Sequence, residues 1–378
     1  MTQQAISLPH ESTPPAQAAP VAVSNVKSAS RVAFVEPIRA YAMSIVVFIH
    51  VASLLAPHYN TLAPIDWWVA NMYHAFSKGG PPIFTMISGM LLLTGKANQP
   101  IGEFFRKRFL KVLIPFLGWA VVYLIYRVAF KNEVLTPHDM VNAILDGPVF
   151  YHLWFIQMIL GLYLATPVLR VYVSHASRAN LRYFLIVWFI SITVLPTLAR
   201  VFEVQFGIDL VVMTNYVGYF ILGYYLRDVV LKPRQALPVL LIVVFTLLAT
   251  EFAVYAMTMA QGGELDSFFL NNLGFNLVIV SIGMFLFLKS LPWETIFTRF
   301  PWIASVVKVL ASCSLGVYFV HVMIMEMMGS GRLGFELKAT TFTPLISIPL
   351  TAFVTLGLSV GIVLILKRIP ILKMFAPG

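Results

Sequence analysis

Apolar stretches of about twenty residues alternate with short polar segments along most of the chain. A stretch of that length spans the hydrocarbon core of a bilayer as an α-helix. The sequence therefore predicts an all-α, polytopic integral membrane protein. We expect about ten transmembrane helices, at residues 32–56, 70–94, 109–130, 151–170, 182–199, 211–230, 237–260, 270–289, 308–328 and 344–366.

The N-terminal residues differ from the rest of the chain. Residues 1–30 are rich in Ala, Pro, Ser and Gln and contain no aromatic residue, so they lack the apolar surface that a core requires. We predict a disordered tail over 1–30 and one transmembrane domain over 31–378. Because the tail lacks the apolar core of a signal peptide, we expect the first helix to stay as an uncleaved anchor.

The composition excludes several classes of protein. With 59% hydrophobic residues, 11% charged residues and a mean hydropathy of +0.84, the chain is too apolar for an ordinary soluble domain. Its 26 Lys and Arg exceed its 16 Asp and Glu, but no basic run carries the interleaved aromatics of a nucleic-acid surface. The single cysteine, Cys313, excludes an intramolecular disulfide and a cysteine-rich metal site.

The basic residues indicate a topology. Most Lys and Arg fall in the loops on the side of the N-terminal tail. The opposite loops contain few basic residues, namely Arg127, Lys131, Arg200, Arg332 and Lys338. The positive-inside rule then places both termini in the cytoplasm.

Two ionisable residues lie within the first predicted helix. Arg39 and His50 are separated by three helical turns plus about 20°, so they share one face about 16 Å apart along the axis. An ionisable group within a span is a functional candidate, because it costs a few kcal/mol or more unless it is partnered. Glu36, one turn before Arg39, is its predicted ion-pair partner. The alternative is that Arg39 snorkels to the interface and a neighbouring helix satisfies His50.

The second predicted helix is interrupted after a polar pair. His74 and Lys78 share a face, and Gly79, Gly80 and two prolines follow. A broken helix at membrane depth survives only where protein or a water-filled cavity surrounds the freed backbone. The pattern predicts a substrate cavity here, with a proline kink tolerated by neighbouring helices as the alternative.

A basic cluster precedes the third predicted helix, at Arg106, Lys107, Arg108 and Lys111. These side chains suit the phosphates of a soluble ligand. Anionic lipid headgroups, or a role in topology alone, are the alternatives.

Four histidines are predicted to project toward the outer half of the bundle, at His50, His74, His152 and His321. Their spacing contains no local ligand pair and no helical HExxH motif, so we predict no metal site. No GxSxG elbow occurs in the chain, which leaves Ser-His-Asp chemistry unsupported.

Five segments in this order resemble the membrane acyltransferase 3 superfamily, in its short form without an appended esterase-like domain. They are EPIRAYAMSIVVFIH, GGPPIFTMISGMLLL, KRFLKVLIP, HLWFIQMILGLYLATPVL and SLGVYFVH. The chain departs from the family's pattern at Glu36, where Asp is frequent, and at Lys107 and Lys111, where many members have arginine. It also departs at Pro81 and Pro82.

The resemblance implies an acyl-CoA-dependent O-acetyltransferase of the bacterial inner membrane. The donor would be acetyl-CoA, with no permanently bound cofactor, and the acceptor a sugar hydroxyl of an exopolysaccharide, a lipopolysaccharide or a lipid-linked precursor. It implies catalytic roles for Glu36, Arg39 and His50. It implies that Arg39, Lys107, Arg108 and Lys111 bind the donor. The residues implied to bind the substrate are His74, Lys78, Ser88, His152, Trp154, Tyr318 and His321.

We expect His50 to act as a general base, since an imidazole titrates near neutral pH and an apolar surrounding favours its uncharged form. An acyl-histidine intermediate is the variant mechanism. For the oxyanion, the sequence offers Ser88, Tyr318 or a backbone donor at Gly79 and Gly80.

A secondary transporter of an anionic or sugar-linked solute is the leading alternative from another class. The sequence, however, has no paired broken helices in two matching halves, which inverted repeats would predict. A receptor or scaffold subunit would explain the helices but not the presence of Arg39 and His50 on one face of the first helix. The oligomeric state is left open.

Overall fold

The computed structural model describes residues 33–95, 99–204 and 215–377. The predicted tail at 1–30 lies outside these ranges. Within them the chain forms α-helices and no β-strand. The helices are α1 (Val35–Ala52), α2 (Pro64–Ser77), α3 (Gly80–Leu93), α4 (Ile101–Lys131), α5 (Pro137–Leu145), α6 (Trp154–His175), α7 (Arg178–Phe189), α8 (Leu195–Phe202), α9 (Val217–Tyr225), α10 (Pro233–Ala260), α11 (Phe275–Ser290), α12 (Trp293–Arg299), α13 (Pro301–Gly329) and α14 (Pro344–Arg368).

Eight segments of the described chain are long and apolar enough to cross a membrane. Six are the single helices α1, α4, α6, α10, α13 and α14. The seventh, Arg178–Phe202, joins α7 to α8 through a π-helical turn, and the eighth, Phe268–Ser290, includes α11. The all-α, polytopic membrane fold is thereby confirmed, and the side on which the termini lie stays a prediction.

The two other predicted windows, 70–94 and 211–230, fall on shorter helices. The first covers most of α2 and α3, which are separated where the sequence predicts a break. Pro81 and Pro82 lie in the first turn of α3, where a missing backbone N–H costs no hydrogen bond. The described part of the second window contains α9.

The first helix lies at the centre of the bundle. α1 packs against α2, α3, α11, α13 and α14, and most of its residues are buried. Neighbouring helices thus cover α1 on several sides, whereas the charged Glu36 and Arg39 near its N-terminal end stay exposed.

α3 and α9 approach each other closely at two glycines. A Cβ added to Gly89 would lie 1.8 Å from the carbonyl oxygen of Phe220, and one added to Gly223 would lie 1.8 Å from that of Met86. Small residues allow transmembrane backbones to pack this tightly. This contact holds α3, which carries several cavity residues, against the rest of the bundle.

We expect Gly223→Ala to destabilise the fold by about 3 kcal/mol or more, since its methyl group would overlap a backbone carbonyl that cannot rotate away. Thermal unfolding of the purified protein in detergent measures this effect. Gly357→Ala is the matched control, because no atom lies within 4 Å of a Cβ at that helical position. Equal melting temperatures for the two variants would contradict the close packing of α3 and α9.

Candidate active site

Two cavities lie beside α1 and share part of their lining. One, of about 220 Å³, is lined by Arg39, Arg108 and Lys111, and we call it the basic cavity. The other, of about 230 Å³, is lined by His50, His74, Lys78, Tyr151, His152 and Asn272, and we call it the histidine cavity. Arg39 and His50 therefore lie in adjacent cavities, at opposite ends of the same helix.

Three aromatic residues line both cavities: Phe84, Phe155 and Tyr318. The ring centroids of Phe84 and Phe155 are 6.2 Å apart, and those of Phe155 and Tyr318 are 5.8 Å apart. The Tyr318 hydroxyl donates a hydrogen bond to the backbone carbonyl of His152, which fixes its orientation. We call this group the aromatic partition, since it separates the two cavities.

Helical periodicity explains why the cavities lie in line. On α3, Pro81 lines the histidine cavity, Phe84 lines both cavities and Ser88 lines the basic cavity. These positions are spaced by three and four residues, so they form one stripe along the helix. On α13, Ser314 and Tyr318 are likewise four residues apart. Both line the basic cavity, and Tyr318 is also part of the partition.

Three imidazoles meet beside the histidine cavity, from α1, α13 and the turn before α6. The ring centroid of His50 is 5.1 Å from that of His321 and 6.1 Å from that of His152, and the latter two are 5.3 Å apart. We call these residues the histidine cluster. His50 and His152 line the cavity, while His321 lies behind them and is fully buried.

The hydrogen bonds of His321 determine its tautomer. Its Nδ1 lies 3.0 Å from the carbonyl oxygen of Val317 and 2.8 Å from that of Tyr318. Since a carbonyl oxygen can only accept, Nδ1 carries the proton, and Nε2 of the neutral ring is an acceptor. That Nε2 has no hydrogen-bond partner among the described residues. It is thus available to accept an N–H from the neighbouring ring of His50.

His152 presents two ring nitrogens that lack partners among the described residues, although its side chain is only 1% exposed. Its ring packs against Tyr123, with centroids 5.1 Å apart. A buried polar group without a partner is costly. A ligand in the histidine cavity would offset this cost by bonding to the ring.

The predicted pair at the end of α2 also lines the histidine cavity. His74 lies on α2 and Lys78 directly after it, so the helical break carries both side chains to the cavity. Nδ1 of His74 has no partner among the described residues. Among the described residues, no carboxylate lines the histidine cavity, whose lining contains the Lys78 cation and several imidazoles.

The basic cavity concentrates three positive side chains. Arg39 comes from α1, and Arg108 and Lys111 come from α4, on which they are three residues apart. No carboxylate lines this cavity, and none of the three forms an ion pair within the described part of the chain. The arrangement provides several charge-assisted donors for an anion.

Three sequence predictions differ from the structure. Lys107 does not line the basic cavity: it lies 100° around α4 from Arg108, is exposed and pairs with Glu103. Glu36 lines neither cavity and forms no ion pair with Arg39 among the described residues, because the Arg39 side chain enters the basic cavity. Ser88 lines the basic cavity and not the cavity of His50, so it is not placed to stabilise an oxyanion there.

The remaining predicted residues, Trp154 and Tyr318, both line the histidine cavity. Sequence reasoning missed Phe84 and Phe155 of the partition, and also Asn272. The two phenylalanines resemble ordinary apolar residues of a membrane helix, and Asn272 lies in a loop, so their spacing gave no signal. Tyr151 is adjacent to His152 in the sequence, but an aromatic residue at this position is also typical of a membrane interface.

Comparison with known proteins decides the family. A family model of the acyltransferase 3 type, described as an acyltransferase domain, matches residues 32–364. The chain belongs to the acyltransferase 3 family. No curated protein and no solved structure matches it.

The protein is therefore a multi-pass membrane acyltransferase. In this acyltransferase, the family match includes α1–α13 and most of α14, and thus every helix that lines the two cavities. Its described residues contain no group of three or more His, Cys, Asp and Glu side chains placed to hold a metal ion. The chemistry that the histidine cluster itself offers is proton transfer.

Proposed function

We propose that this acyltransferase moves an acyl group, in the simplest case acetyl, from acyl-CoA to a hydroxyl of an envelope saccharide. One observation carries the proposal: two cavities share the aromatic partition along α1. One has three cations that form no ion pair with any described residue, and the other has a histidine cluster. An anionic thioester donor and a hydroxyl acceptor need these two environments side by side.

The basic cavity suits the donor. Arg39, Arg108 and Lys111 would bind the phosphates of coenzyme A, and the pantetheine arm would extend from them past the aromatic partition. Arg39 and His50 are about 16 Å apart along the axis of α1, which is comparable to the length of an extended pantetheine arm. The thioester would then lie beside His50, while its phosphates stay in the basic cavity.

The histidine cluster suits the chemical step. His50 would accept the proton of the acceptor hydroxyl while that oxygen attacks the thioester carbonyl. The tetrahedral intermediate then collapses: the C–S bond breaks, the thiolate leaves, and the proton passes from His50 to the sulfur. Nε2 of His321 would hold the His50 ring by accepting its other N–H. The variant with an acyl-histidine intermediate uses the same groups in two steps.

The predicted topology gives the reaction a direction. With the termini in the cytoplasm, the basic cavity opens toward the cytoplasmic side and the histidine cavity lies toward the outer side. Acyl-CoA would enter from the cytoplasm, and the acceptor from outside or from the membrane. The bacterial inner membrane and an exopolysaccharide, lipopolysaccharide or lipid-linked precursor fit this arrangement.

The proposal is tested by incubating purified protein in lipid nanodiscs with acetyl-CoA labelled in the acetyl group. We expect slow release of labelled acetate in buffer, and transfer of the label when de-O-acetylated envelope saccharide is added. A secondary transporter would do neither. Saturable binding of acetyl-CoA without hydrolysis or transfer would overturn the proposed function.

The basic cavity predicts which cations bind the donor. We expect Arg108→Gln and Lys111→Gln each to raise KM for acetyl-CoA roughly 10-fold to 100-fold, since a charge-assisted hydrogen bond contributes about 1.5–3 kcal/mol. Because the aromatic partition lies between these side chains and His50, kcat should change little. Initial rates over a range of acetyl-CoA concentrations separate the two parameters.

Lys107→Gln provides the matched comparison, because Lys107 belongs to the same basic cluster but lies outside the basic cavity. Its KM should stay within about fivefold of the wild-type value, since an exposed ion pair contributes at most about 1 kcal/mol. If all three variants raised KM equally, the cluster would act through general charge, and the cavity would not be the donor site.

A further inference from the structure

A third cavity adjoins the histidine cavity. It measures about 610 Å³ and shares Lys78, Trp154 and Asn272 with the histidine cavity. The rest of its lining includes Arg200 of α8, Tyr216, and residues 266–268 and 270–273 of the loop before α11. We call it the vestibule. It is larger than the histidine cavity, and the residues of the aromatic partition do not belong to its lining.

The polar part of the vestibule is held in place by Asp266. This carboxylate is 5% exposed and pairs with the guanidinium of Arg200. It also accepts hydrogen bonds from the side chain of Gln261 and from the backbone N–H of Phe268, the latter at 2.9 Å. The guanidinium carbon of Arg200 lies 4.6 Å from the ring centroid of Phe268. Arg200 lines the vestibule, and its side chain is 39% exposed despite the ion pair.

The apolar part is formed by aromatic rings next to an unsatisfied amide. The rings of Trp154 and Tyr216 lie with their centroids 5.6 Å apart. The Nδ2 of Asn272 donates to the Tyr216 hydroxyl at 2.9 Å, while its Oδ1 has no hydrogen-bond partner among the described residues. The vestibule thus offers aromatic faces together with an amide acceptor and a guanidinium donor.

We propose that the vestibule binds the sugar unit next to the one that is acylated, so that the acceptor is an oligosaccharide or a longer glycan. This inference rests on the proposed function. A sugar ring presents apolar C–H groups that stack on aromatic rings and hydroxyls that bond to amide and guanidinium groups. The histidine cavity falls below the roughly 300–1,000 Å³ of sites that enclose drug-sized ligands. It has room for the reacting sugar, and the next unit extends into the vestibule.

The experiment compares acceptors of different length. Envelope polysaccharide is de-O-acetylated with mild alkali, partly hydrolysed and sized into monosaccharide and tetrasaccharide fractions. Each fraction is then offered to the wild-type protein in nanodiscs with labelled acetyl-CoA. We expect kcat/KM for the tetrasaccharide fraction to exceed that for the monosaccharides at least about tenfold, the effect of roughly one good binding contact.

Two variants, Arg200→Gln and Phe268→Ala, remove the guanidinium or the ring on which it lies. Each should bring the ratio of kcat/KM for tetrasaccharides to kcat/KM for monosaccharides closer to one, because KM for the tetrasaccharides rises. Neither should change the hydrolysis of acetyl-CoA in buffer, which also shows that the variants fold. Arg332→Gln is the matched control, because the Arg332 guanidinium lies 5.0 Å from the ring centroid of Phe130, away from the vestibule. It should keep the wild-type preference.

The outcomes separate the two proposals. Equal kcat/KM for both acceptor lengths in the wild-type protein, or a preference that survives in both vestibule variants, would overturn the second sugar site and leave the acyltransfer to saccharide intact. Hydrolysis of acetyl-CoA without transfer to any fraction would overturn the saccharide acceptor and the second sugar site together.

Discussion

We expect His50→Ala to lower the rate of acyl transfer at least about 100-fold, the lower end of the contribution of a general base. His50 lines the histidine cavity and is the residue of the histidine cluster on the same helix as Arg39. Without its imidazole, no group of α1 in this cavity can take the proton of the acceptor hydroxyl. Transfer of label from acetyl-CoA, measured in nanodiscs, gives the rate.

The matched control for this variant is His58→Ala, since His58 is an exposed histidine in the segment after α1 and lines neither cavity. It should retain wild-type activity. Both variants should bind acetyl-CoA with similar affinity, because the basic cavity is unchanged. A His50→Ala protein that is correctly folded and transfers acetyl at more than about a tenth of the wild-type rate would contradict the role of His50 as general base.

His321→Ala should lower kcat on the order of 10-fold to 100-fold, with little change in KM for acetyl-CoA. His321 lies behind His50 and not on the cavity surface, with its tautomer fixed by two backbone carbonyls. We therefore propose that it is a positioning residue, whose Nε2 would accept an N–H from the His50 ring. Its loss leaves the general base present but free to rotate.

A purely structural effect of this substitution can be distinguished. His321→Gln places an amide oxygen near the position of Nε2, and it should restore part of kcat. Met325→Ala truncates a buried side chain one turn further along α13 and should reduce stability without a comparable loss of kcat. If Met325→Ala and His321→Ala lowered kcat equally, the proposed positioning of His50 by Nε2 of His321 would not be the cause.

The sequence predicted the membrane fold because each span carries its own signal. An apolar stretch of the required length is helical wherever it packs, since no water is present to bond its backbone. The shared face of Arg39 and His50 followed from the 100° rotation per residue within one helix. The break between α2 and α3 followed in the same way from the local sequence of glycines and prolines.

Such local rules do not predict which side chains of different helices meet. Lys107 and Arg108 are adjacent and equally basic in sequence, and only the packing of α4 determines which one enters the basic cavity. The aromatic partition requires Phe84, Phe155 and Tyr318 to meet from α3, α6 and α13. Nothing in the spacing of a single helix specifies that meeting. The same reason explains Ser88, which shares a stripe with Phe84 but lies on the other side of the partition from His50.

In the proposed reaction, an acyl thioester reaches His50 from the basic cavity by passing the aromatic partition. The most direct measurement is a cryo-electron microscopy structure of the protein with a non-hydrolysable acetyl-CoA analogue, in which a methylene group separates the sulfur from the carbonyl. We expect phosphate density beside Arg39, Arg108 and Lys111, and a continuous pantetheine arm that passes Phe84 and Tyr318 to end beside His50. A bound analogue whose acyl end lies away from His50, or whose phosphates lie outside the basic cavity, would contradict this path for the donor.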